Sequence, residues 1–158
     1  MSSKKEQIIF YSMEDESLKK LHIYDSGVSA GFPSPADDYL DVDLNLHKYL
    51  VKHPTATFFI IAKGHSMERA GISDNDLLVV DKSLEPKNKD IVVAIVDGEF
   101  TVKRYTTNNE NICLKAEGLS SGYPDINITD SMEFEVWGVV THTIHNNRCC
   151  LLYTSPSP

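Results

Sequence analysis

Asp97-Gly98 joins two runs rich in apolar and β-branched residues, Ile91-Val92-Val93-Ala94-Ile95-Val96 and Glu99-Phe100-Thr101-Val102-Lys103-Arg104-Tyr105. A two-residue Asp-Gly link between such runs is a strong hairpin signal, because both residues tolerate the positive φ that a tight, strand-matched turn demands. The same punctuation continues on either side. Strands are expected over 57–62, 77–81, 111–116 and 134–143. Asp74-Asn75-Asp76 and Pro86-Lys87-Asn88-Lys89-Asp90 supply turns, and Gly138 marks a bulge or bend in the last strand. A helical turn or two is expected over 44–51, with apolar positions 46, 49 and 50, Asp43 as its N-cap and Pro54 ending it. Many short strands separated by turns predict a mostly β fold, a curved sheet or partial barrel.

The 158 residues suffice for one ordinary domain, and 41% hydrophobic content predicts a globular chain. No apolar run approaches the roughly 20 residues of a membrane span. The charged start is followed only by Ile8-Ile9-Phe10-Tyr11, too short for a signal peptide, so a cytoplasmic location is expected. A formal charge of −8 disfavours tight nonspecific DNA binding, which relies on basic residues neutralising phosphates. The three cysteines show no zinc spacing, and no cofactor or metal is expected. Residues 1–30 form an expected extended arm, in which Leu21-His22-Ile23-Tyr24 can add as a strand. The body is expected over 31–146. The stretch 149–158, from Cys150 onward, resembles a translated sequencing adapter and is expected to contribute nothing to the fold.

Two residues carry candidate chemistry. Ser66 lies in Gly64-His65-Ser66-Met67, just beyond an apolar strand, where neighbouring N–H groups can converge on an oxyanion. Lys103 lies 37 residues later within a strand, sharing a face with Glu99, Thr101 and Tyr105. Serine needs a base, and lysine serves as one when an apolar site lowers its pKa. Taken singly, a Gly-x-Ser turn and a strand lysine are both commonly solvated surface features. The segment Val28-Ser29-Ala30-Gly31-Phe32-Pro33-Ser34-Pro35 is small and extended, as a protease substrate or a linker would be. A Ser–His–Asp arrangement drawn from His22, His47, His53, His65, His142 and His145 has no support from spacing.

Several segments together resemble the UmuD-type branch of the LexA-like serine peptidase family. They are Gly31-Phe32-Pro33-Ser34-Pro35-Ala36-Asp37-Asp38-Tyr39, Asp43-Leu44-Asn45, His53-Pro54-Thr55-Ala56-Thr57-Phe58-Phe59, Gly64-His65-Ser66-Met67, the run from Ala70 to Asp81, Val96-Asp97-Gly98-Glu99-Phe100-Thr101-Val102-Lys103 and Val136-Trp137-Gly138-Val139-Val140. The resemblance covers about residues 28–143. It implies a LexA/signal-peptidase-like fold with Ser66 as nucleophile, Lys103 as general base and self-cleavage at Ala30-Gly31. It also implies a homodimer, stimulation by a RecA filament on single-stranded DNA in the SOS response, and service to a UmuC-type translesion polymerase with mainly indirect DNA contact. His65 stands where the family often has Asp, and Ala30 where some members have Cys. Residues 1–27 match poorly. The alternatives are a non-cleaving, repressor-like binding module on the same fold, and a leader-type peptidase, against which the built-in cleavage site argues.

Overall fold

Alternating Asp41-Val42-Asp43-Leu44 has the period of a strand despite its acidity, and it forms one. In the computed structural model, which describes residues 21–24, 30–31 and 41–148, β1 (Leu21–Tyr24) pairs antiparallel with β2 (Asp41–Leu44), Leu21 opposite Leu44 and Tyr24 opposite Asp41. Asp43 is thereby committed to β2, and the expected N-cap moves to Asn45. The Asn45 side chain accepts the Lys48 N–H at 3.0 Å and opens α1 (Leu46–Leu50). The chain divides after Lys52, and these elements belong to the first of two units. Most of the expected arm, and the 149–158 tail, lie outside the described residues.

The second unit contains one open, antiparallel sheet. Its strands are β3 (Thr57–Ile61), β4 (Leu77–Asp81), β5 (Ile91–Val96), β6 (Glu99–Thr107), β7 (Ile112–Lys115), β8 (Ile126–Asn127) and β9 (Phe134–Ile144). They are ordered β3-β4-β9-β5-β6-β7-β8. The hairpin expected at Asp97-Gly98 is present, with φ of 49° and 82° at the two turn residues, so both are left-handed as a type I′ turn requires. The last strand in sequence is inserted between β4 and β5. Its pairing slips twice: Trp137 is skipped between the partners of Val93 and Ala94, and Thr141 between those of Val79 and Val80. Each skipped residue is a β-bulge, which bends and twists the strand. The irregularity expected at Gly138 thus falls one residue earlier. Gly138 itself is required by close approach, since a Cβ there would lie 2.6 Å from Val80 Cγ1 and 3.3 Å from the Asp81 carbonyl oxygen.

Alternation along β5 splits the core between two clusters. Val93 packs with Ala62, Met67, Ile72, Leu78 and Val80, whereas Val92 and Ala94 pack with Leu114 and Val139. Among the described residues no helix is long and apolar enough to cross a membrane.

Candidate active site

The loop after β3 is fixed at its base by the following turn. Ala62 donates its N–H to the Asp76 carbonyl and accepts from Asn75 N–H, both at 2.8 Å. Gly64 adopts φ 92°, a conformation glycine reaches without strain, and its N–H bonds Asp74 Oδ1 at 2.8 Å. Beyond Ser66, Met67 is 3% exposed and anchors the loop in the first core cluster. The Met67 carbonyl accepts from Ala70 and Ile72, closing a 3-10 turn over Glu68–Ala70. Ser66 is therefore held between a glycine that turns the chain and a methionine that pins it.

Lys103 comes from β6 at the point where β7 leaves it. The β6–β7 ladder ends at Arg104 opposite Lys115, and just beyond β7 the backbone of Glu117 bonds the Ser66 loop. Lys103 is buried, 9% exposed. Its Nζ lies 3.1 Å from Ser66 Oγ, 3.0 Å from Thr101 Oγ1 and 3.1 Å from the Val102 carbonyl oxygen. Three acceptors match the three hydrogens of an ammonium, while a neutral amine turns its lone pair to the serine hydroxyl. Burial pushes the Lys103 pKa below the ordinary lysine value. The pair borders a recess of about 380 Å³ with a largely apolar lining that includes Ile60, Ala62, Met67, Leu78, Val93 and Trp137. Trp137 also meets Phe58 at a tilt and Phe100 edge-on, at ring separations of 5.2 and 5.8 Å, and Lys82 Nζ sits 4.7 Å from its centroid.

Three of the described histidines pair with carboxylates away from Ser66. His65 Nδ1 pairs with Glu68 at 2.6 Å, His53 with Asp81 at 2.6 Å and His145 with Asp76 at 2.5 Å. No hydrogen bond joins Ser66 to His47, His53, His65, His142 or His145, so no Ser–His–Asp arrangement is assembled among the described side chains. Asp76, in the expected Asp74-Asn75-Asp76 turn, and Asp81, at the end of β4, are both 3% exposed. Burial tends to raise the Asp81 pKa, but bonds from His53 and Ser83 outweigh it and hold the carboxyl below its usual range. Ala30 and Gly31 are both exposed, in a bend of the first unit.

Two contributors carried no sequence signal as site residues. Thr101 stood out only as a face-mate of Lys103, and its oxygen is an acceptor for the amine. Glu117 lies beyond β7, yet its N–H bonds the Ser66 carbonyl and its carbonyl accepts from Arg69 N–H, each at 2.7 Å. Nothing in the residues around Glu117 announces this; it follows from where β7 ends.

The chain matches the family model described as Peptidase S24-like over residues 22–141. It is 42% identical over 144 residues to Protein MucA of Salmonella typhimurium, covering 90% of this chain and 97% of that protein. It is 44% identical over 128 residues to Protein ImpA of Escherichia coli, covering 75% of this chain and 79% of the relative. A LexA repressor from Psychromonas ingrahamii is 33% identical over 117 residues, covering 74% of this chain and 55% of the repressor. With the family model spanning most of its length and relatives this similar, the chain belongs to the Peptidase S24-like family.

Proposed function

We propose that the protein is a serine endopeptidase of the Ser–Lys type that cuts its own chain once, between Ala30 and Gly31. The observation that carries this reading is Lys103 Nζ, buried and 3.1 Å from Ser66 Oγ. That separation is within the reach of a general base. Neutral Lys103 takes the Ser66 proton as Oγ attacks the Ala30 carbonyl carbon. The tetrahedral oxyanion is met by backbone N–H groups beside Ser66. Lys103, now an ammonium, returns the proton to the Gly31 nitrogen as the peptide bond breaks. Water, deprotonated by Lys103, then releases Ala30 from the ester. Cleavage requires the Ala30 carbonyl to reach Ser66, so the rate is set by how often that docked state is populated.

The similarity to MucA, ImpA and a LexA repressor supports a role in the SOS response. In this reading a RecA filament on single-stranded DNA favours the docked state, and the shortened homodimer serves a UmuC-type translesion polymerase. A chain of net charge −8 reaches DNA chiefly through such partners.

Mass spectrometry of the full chain tests the proposal, at alkaline pH and again with RecA, single-stranded DNA and an ATP analogue. The expected result is loss of residues 1–30, abolished by Ser66→Ala and by Lys103→Ala. An unchanged mass in every condition would sink it in favour of a non-cleaving binding module.

A further inference from the structure

Arg104 follows Lys103 on β6, and the pleat directs successive side chains to opposite sides. Its Nε and Nη2 meet the two carboxylate oxygens of Glu117 at 2.7 and 2.9 Å, and Nη1 donates to the Lys89 carbonyl at 2.9 Å. Glu117 also grips the nucleophile loop through its backbone, at Ser66 and at Arg69, with both bonds at 2.7 Å. One residue thus links the strand bearing the amine to the loop bearing the hydroxyl. The two parallel N–H···O bonds form a fork that fixes direction as well as distance, which a lysine cannot reproduce. The Arg104 bond holds the Glu117 carboxyl below its usual range despite partial burial, so the pair stays charged at neutral pH.

We propose that the Arg104–Glu117 pair is the positioning strut that keeps Ser66 Oγ within reach of Lys103 Nζ and keeps Lys103 covered. Neither residue touches the scissile bond; both act through the loop. The inference rests on the Ser66–Lys103 reading above, and it explains why a serine in a loop can hold station beside an amine on a strand. Lys63, His65 and Tyr123 are the titratable groups sharing the recess with Lys103. The lowered pKa of Lys103 arises from burial alone. Water reaching Nζ is therefore the change that would restore it.

The test follows Lys103 directly. Full-length protein with 13C-labelled lysine is titrated by NMR as wild type, Glu117→Gln and Arg104→Lys, with Lys103→Met assigning the resonance. The strut predicts that both variants raise the Lys103 midpoint by roughly one pH unit. They also slow Ser66-dependent cleavage at neutral pH by about 10–100-fold. Direction discriminates: removing the Glu117 charge without moving the loop would shift the midpoint down, and Arg104→Lys leaves the charge unchanged. A midpoint that stays put or falls in both variants overturns the inference, even if thermal stability drops. A wild-type chain that never cleaves counts against the proteolytic proposal instead, and the Lys103 titration still decides the strut.

Discussion

At the residue scale the site depends on an amine held in two roles. Thr101 and Val102 stabilise the ammonium, whereas burial favours the neutral base. Cleavage is expected to accelerate as pH rises through the lowered pKa of Lys103, below the ordinary 10.5. Thr101→Val removes an acceptor from the ammonium, so the midpoint of the pH–rate profile is expected to fall. The plateau should drop by roughly tenfold as Nζ loses its tether. Rates of fragment formation across a pH series measure both. Stability has its own sign. Between the lowered folded pKa and the unfolded value near 10.5, the unfolded chain binds more protons, so wild-type stability gains with pH. Urea unfolding of wild type and Lys103→Met should therefore show the wild type gaining relative to the variant from neutral to alkaline pH. The sequence supplied Ser66 and Lys103 only in combination with the resemblance. Burial, which makes a lysine useful here, depends on a loop distant in the chain and leaves no local trace.

At the scale of elements, strands with turn punctuation were legible, and β4 and β5 begin and end where the residues predict. Two failures have physical causes. β2 was hidden because aspartates are poor strand formers, and its pairing with β1 overrides that preference. β8 has only two residues, too short for any period to register. The strand order was not legible either. Consecutive strands usually neighbour one another, but β4 and β5 are separated by β9. That strand joins the two core clusters, and its crossing past Val80 leaves no room for a side chain at Gly138. Gly138→Ala is expected to destabilise the fold by about 1–3 kcal/mol, measured by urea unfolding. The bulge at Trp137 makes its neighbourhood sensitive as well, because the indole that lines the recess is the residue the ladder skips.

At the scale of the molecule, acid resistance should be governed by a few carboxylates. Asp81 and Glu117 both have lowered folded pKa values, against ordinary values of 3.8 and 4.5. Their stabilisation is fully present above those ordinary values and is lost as pH falls through the lowered ones. Unfolding midpoints should therefore decline below about pH 5. Asp81→Asn should flatten that decline while costing about 1–3 kcal/mol at neutral pH, because His53 and the Ser83 donors lose their charged partner. The backbone bonds at Ser66 and Arg69 have a kinetic corollary. The amide hydrogens of Glu117 and Arg69 exchange with deuterium from solvent when the Ser66–Arg69 loop and the segment at Glu117 part. Their exchange is a clock for the opening of the site, running whether or not any peptide bond is being cut.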